Sequence, residues 1–169
     1  MKKAILFGIA LLLGTSLFGQ PAGEKYAQDV QSVAAIIDAY YAVVSGSRND
    51  PWQFERDRFL HSKNAVITRL DAHGYAESHA LEAEYIPLAL APKGDFYEIE
   101  LKRSVSRFGN MAQVWSAFEI RTDPDLETNT RGLNSIQLHY EKGRWWIDSW
   151  TCEMASENNP VVTDFLKAE

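Results

Sequence analysis

Arg131-Gly132-Leu133-Asn134-Ser135-Ile136-Gln137-Leu138-His139-Tyr140-Glu141-Lys142-Gly143-Arg144-Trp145-Trp146-Ile147-Asp148-Ser149-Trp150 reads as two strands joined at Lys142-Gly143. Folded as a hairpin, it sets apolar residues beside amides on one small sheet, the composition of a pocket wall. Pairing Tyr140 with Trp145 puts Leu138 opposite Ile147, Ile136 opposite Ser149 and Asn134 opposite Thr151. This face is the more apolar, so it is assigned to the core and cavity. The other face then carries Ser135, Gln137, His139, Trp146, Asp148, Trp150 and Cys152. Trp146 and Trp150 pointing outward beside Gln137 and Ser135 suit a subunit interface, and they predict a homodimer.

Working outward from the hairpin, Met111 to Arg121 is a further strand whose Val114, Ser116, Phe118 and Ile120 match the inner face. The polar loop Thr122 to Thr130 joins it to the hairpin, and Phe108-Gly109-Asn110 turns the chain before it. Phe96 to Val105 alternates, with Tyr97, Ile99 and Leu101 on one face and Glu98, Glu100 and Lys102 on the other. Upstream, Val30, Val33, Ala34, Ile37, Tyr40, Tyr41 and Val44 recur at helical spacing between Asp29 and Ser45. Trp52 to Leu60 reads as a short second helix, Ala65 to Leu70 as a strand, and Leu81 to Leu90 as a third helix ended by Pro92 and Gly94. Helices first and an antiparallel meander after them imply an α+β domain. A cone-shaped, curved antiparallel sheet wrapped over the N-terminal helices leaves a cavity at its open end. Residues 156–169 form a polar C-terminal tail.

The bulk composition agrees. With 169 residues, 46% of them hydrophobic, the chain can bury one ordinary core. A net charge of -6 argues against a nucleic-acid footprint. Lys2 and Lys3, the apolar run Ala4 to Leu13 and the small or polar residues after it have the layout of a secretory signal over residues 1–19. Secretion or a periplasmic location is therefore expected, with cleavage near Gly19 and no membrane attachment once the signal is gone. The one cysteine, Cys152, has no internal partner and is expected to be buried and inert.

Ile37-Asp38-Ala39-Tyr40-Tyr41, the stretch Phe108 to Ser116 and the Arg131 hairpin resemble the SnoaL-like branch of the nuclear transport factor 2-like superfamily. The resemblance covers roughly residues 26–155 as a single domain. It implies a cone of curved sheet around an apolar pocket, often dimeric through the sheet's outer face. It says little about activity, because the superfamily holds isomerases, dehydratases, epoxide hydrolases, cyclases and non-catalytic binding domains.

The pocket expected from the pairing is bounded by Tyr41, Trp52, Phe59, Ser116, Phe118, Asn134, Tyr140 and Trp145, with Asn134 and Ser116 as the polar groups that orient a small, mostly apolar ligand. No cofactor is implied. His61, His73, His79 and His139 show no metal spacing, so no metal site is expected. Phosphate loops and nucleophile elbows are absent. The related isomerases imply a tyrosine, Tyr40 or Tyr41 here, acting with a carboxylate; Asp57, Asp148 and Glu153 are the candidates. The related hydrolases imply an arginine between two aspartates, and Arg131 has no such pair. Two readings remain: a binding module, or a cofactor-independent isomerase, dehydratase or cyclase. A third is a protein-interaction module using the outer tryptophans. The first two separate on whether a carboxylate points into the cavity within hydrogen-bond reach of a second polar group. Since the pairing puts no acid on the inner face, binding is favoured.

Overall fold

A computed structural model describes residues 25–126, 128, 130–160, 163, 165 and 166. The segment read as a signal lies outside the described residues. A 3₁₀ turn (Ala27–Val30) leads into α1 (Val33–Val44), α2 (Phe54–Leu60), β1 (His61–Leu70), β2 (Ala76–Ala80) and α3 (Leu81–Leu90). β3 (Tyr97–Phe108), β4 (Met111–Arg121), β5 (Arg131–Glu141) and β6 (Arg144–Met154) follow. The six strands form one curved sheet in the order β2-β1-β6-β5-β4-β3. The fold is α+β, as the pattern of helices then strands implies. All pairings are antiparallel except β1 with β6, which run parallel. That pairing brings the N-terminal strand back beside the end of the meander.

α1 starts where the Ser32 hydroxyl accepts a hydrogen bond from the Ala35 N–H at 3.0 Å, an N-cap that satisfies one of the free donors of the first turn. Its Ile36, Ile37, Tyr40 and Val43 are buried against the sheet. There they meet Leu60, Ile67, Val114, Ile136, Leu138 and Ile147 in one core. The hairpin turns at Lys142 and Gly143 with φ of 51° and 83°, the positive-φ pair of a type I′ turn, which matches the twist of the strands it joins.

β2 was not expected. Ala76-Glu77-Ser78-His79-Ala80 lacks apolar alternation, because as an edge strand it is largely exposed. The more consequential difference lies in β6. Tyr140 pairs with Trp145 and Leu138 with Ile147, as read from the sequence. Beyond that point a bulge lets Gln137 pair with Ser149, so Ile136 faces Trp150 and Asn134 faces Cys152. One extra residue reverses every side chain after it. Trp150 and Cys152 therefore turn inward and Ser149 and Thr151 outward, which corrects the outward placement of Trp150. Trp150 is 8% exposed, with its ring edge-on to Tyr40 at 6.0 Å between centroids. Trp146 lies on the outer face, stacked with His139, whose Nδ1 lies 2.7 Å from Asp148 Oδ2.

Candidate functional site

Between the helices and the open end of the sheet lies a cavity of about 490 Å³. α1 contributes Tyr40, Val43 and Val44, and the segment after it Trp52 and Gln53. α2 supplies Phe54 and Asp57, and α3 Tyr85 and Leu88. The sheet supplies Arg69, Glu98, Phe118, Ile120, Asn134, Trp150 and Cys152. The wall is mostly aromatic and aliphatic, so the few polar groups within it fix what it can recognise.

Of the residues expected there, Trp52, Phe118 and Asn134 line the cavity. Tyr41 and Ser116 sit behind its wall, both buried. Phe59, Tyr140 and Trp145 do not line it. Tyr140 and Trp145 pack on each other at 5.4 Å beside the hairpin turn, with Arg107 over Trp145, because the sheet meets the helices at that end and leaves no space. Phe59 points the other way from α2, between Tyr26 and the Arg144 guanidinium.

The inner face does carry an acid. Glu98 lines the cavity from β3, and its Oε1 accepts a hydrogen bond from Asn134 Nδ2 at 3.1 Å. Burial pushes its carboxyl up from the ordinary 4.5 to about 7, against the lowering effects of the Asn134 amide and the Arg69 charge. A carboxyl poised there gives and takes a proton near neutrality. Glu100, also on the inner face of β3, is paired directly with Arg103.

A chain of hydrogen bonds joins the two carboxyls. The Ser116 hydroxyl donates to Glu100, so the Tyr41 hydroxyl 2.6 Å away must donate to Ser116. Tyr41 in turn accepts from Asn134 Nδ2 at 3.4 Å. Asn134 is 1% exposed; its Nδ2 donates to Glu98 and Tyr41, while its Oδ1 has no hydrogen-bond partner among the described residues. Asn134 therefore positions Glu98, and its Oδ1 is left for the ligand contact that the sequence suggested. Burial also raises the Tyr40 and Tyr41 hydroxyls well above their ordinary value, so both stay protonated as donors. A second carboxyl, Asp57 on α2, lines the opposite wall; its Oδ2 accepts from the Tyr85 hydroxyl at 2.8 Å and its Oδ1 lies 3.2 Å from His61 Nδ1. Asp148, another candidate base, lies on the outer face with His139, and Glu153 accepts from Asn159 Nδ2 at 2.8 Å. Cys152 lines the cavity as a free thiol pushed up to about 12 by burial, a weak nucleophile at neutral pH.

Solved structures with this arrangement of helices and sheet identify the fold. An NTF2-like protein of unknown function from Pseudomonas putida KT2440 superposes with a TM-score of 0.58 at 11% identity, over 80% of this chain and 92% of that one. The fold is nuclear transport factor 2-like. A Nostoc punctiforme PCC 73102 protein of unknown function, described as having a cystatin-like fold, gives 0.56 at 11% identity, over 74% and 90% of the two chains. A candidate dehydratase of the NTF2-like family from Streptomyces avermitilis gives 0.55 at 16% identity, over 77% and 98%. No protein-family model matches the sequence, and none of the curated proteins does. At these identities the likeness extends to the fold, and the cavity has to speak for the chemistry.

Glu98 was missed because Tyr97, Ile99 and Leu101 looked like the buried face of their strand. The side chain opposite Glu98's neighbour gives a better guide: Glu100 pairs with Phe118, an inward residue of β4. Trp150 and Cys152 were missed through the bulge, although the sequence holds a signal for it. The apolar positions run Trp145, Ile147 and then Trp150, Cys152, Met154, a change of phase at Asp148-Ser149.

Proposed function

We propose that the protein is a SnoaL-like, cofactor-independent enzyme in which Glu98 moves a proton on a small, mostly apolar molecule held in the cavity. Isomerisation or dehydration beside a carbonyl is the reaction class that such a group serves. Glu98 takes a proton from carbon, the electron pair moves toward the carbonyl oxygen, and the proton returns at another carbon or on a leaving hydroxyl. The observation that carries this reading is that Glu98, one of two carboxyls lining an apolar cavity, is oriented by a buried asparagine and poised near pH 7. A pure binding module has no need of an ionisable carboxyl there, which is why catalysis takes precedence over the binding reading that the sequence favoured. Export fits Lys2-Lys3 and the apolar run after them; mass spectrometry of the protein from its native host should find an N-terminus near Gln20, and an intact Met1 would contradict it.

The test is a panel of small aryl and alicyclic β,γ-unsaturated ketones, followed by the ultraviolet absorbance of the conjugated product. Turnover of at least one member should rise with pH through an inflection near 7 and fall by about 10² to 10⁴ in Glu98→Gln. Equal rates in Glu98→Gln and wild type, or ligands that bind without reacting, would return the cavity to a binding role.

A further inference from the structure

Strand register lays one row of side chains across the sheet. Arg69 pairs with Cys152, Cys152 with Asn134, and Asn134 with Ser116. Three of these four residues are neutral; Arg69 brings a fixed positive charge to the rim of the cavity. Its side chain is 49% exposed, open to an incoming molecule, and it also lines the cavity. Its guanidinium carbon lies 5.3 Å from the centroid of the Trp150 ring, and its Nη1 donates to Glu84 Oε1 at 2.6 Å. A guanidinium has five N–H donors in a planar fork. Only this one has a protein acceptor among the described residues. Glu84 divides its own charge between Arg69 and the His79 ring. Arg69 is thus fixed in place by the ion pair and the indole, with most of its donors unspent.

We propose that Arg69 makes this cavity a site for a small apolar monocarboxylate, its carboxylate on the guanidinium at the rim and its body against Trp150 and the aromatic wall inside. The inference rests on the cavity's being the ligand site, and it names the class of substrate that Glu98 would act on. A planar carboxylate matches the guanidinium fork, and charge assistance makes such bonds stronger than neutral ones. Arg69 already pairs with Glu84, and Asp57 and Glu98 line the same cavity, so a dianion such as a phosphate ester would be repelled more strongly than a monoanion. A neutral ligand would leave the donors of Arg69 to water, since the side chain is 49% exposed. A volume of about 490 Å³ suits a molecule of drug-like size.

The bland alternative is that Arg69 only pins α3 to β1 through Glu84. Titration of the full mature protein at pH 6, followed by tryptophan fluorescence and calorimetry, separates the two. The probes are octanoate, decanoate, 4-phenylbutanoate and 2-naphthoate, each beside its primary amide. At least one acid should bind about tenfold tighter than its amide. Arg69→Gln should erase that preference, so that each acid and its amide bind within about twofold of each other. Arg69→Lys, which keeps the charge, should retain part of the preference, and the comparison within wild type stands even if Arg69→Gln fails to fold. Amides binding as tightly as acids, or an acid preference surviving in Arg69→Gln, would overturn the inference and leave the cavity reading intact. Binding of neither acids nor amides would overturn both.

Discussion

Replacing Glu98 with glutamine should stabilise the protein at alkaline pH and leave it nearly unchanged at acid pH. In the folded state the carboxyl holds its proton up to about pH 7; in the unfolded chain the ordinary value is 4.5. Between these values the folded protein binds the proton and the unfolded chain does not, so stability falls as pH rises. Above 7 both states are ionised, and the cost of carrying the charge inside the fold is complete. A difference of this size is worth roughly 3 kcal/mol, nearer 2 once water entering the cavity is allowed for. Glutamine has nearly the same shape, and its carbonyl can still accept from Asn134 Nδ2, so the hydrogen bond at 3.1 Å has a replacement. The expected result is a Glu98→Gln variant about 2 to 3 kcal/mol more stable than wild type at pH 8, with the gain shrinking to near zero by pH 4.5. Urea unfolding of the protein across that range measures it. Parallel pH profiles for variant and wild type would refute the reasoning, because the carboxyl would then titrate alike in both states.

Asn134→Leu removes the amide that orients Glu98 and lowers its proton affinity, so the Glu98 midpoint should move above 7 and unfolding should cost about 1 to 3 kcal/mol less; carboxyl NMR and urea titration read the two effects, and an unmoved midpoint would contradict the role given to Asn134. At Gly132 a Cβ would meet Phe118 Cζ at 2.5 Å and the Glu153 carbonyl oxygen at 2.9 Å. Gly132→Ala should therefore destabilise by about 1 to 3 kcal/mol and displace a ring of the cavity wall, and an unchanged unfolding curve would show that the wall gives way freely. With Trp150 turned inward, the outer face of the sheet still presents Trp115, 43% exposed, beside Leu133 and Thr151. If that face closes a homodimer, Trp115→Glu should yield monomers in sedimentation; wild type sedimenting as a monomer at tens of micromolar would count against the dimer.

How much of this was legible in the sequence follows from where alternation holds. The β4 strand, the α3 helix and the turn at Lys142-Gly143 each sit where residue pattern and turn chemistry place them. α+β architecture follows from those elements without further help. The site was harder, because two single-residue irregularities decide it. The bulge near Asp148 turns Trp150 and Cys152 inward, and a second shift between Glu100 and Lys102 lets β3 present Glu98 and Glu100 on one side of it and Arg103 and Val105 on the other. Strict period-2 reading cannot place a residue beyond a bulge. Arg69 was passed over for a different reason: it follows Ala65 and Ile67 on the inward face of β1, but a charged residue at the end of a strand looks solvated until the partner strands are known.

Catalysis in this cavity requires that Glu98 be an ionisable acid–base group poised near neutrality. Its carboxyl ¹³C shift, assigned by comparison with Glu98→Gln and followed from pH 3 to pH 10, tests this directly. The expected midpoint lies near 7. A midpoint near the ordinary 4.5 would contradict it, since the cavity would then not hold the carboxyl's proton toward neutral pH and the rise in turnover near pH 7 could not be assigned to Glu98.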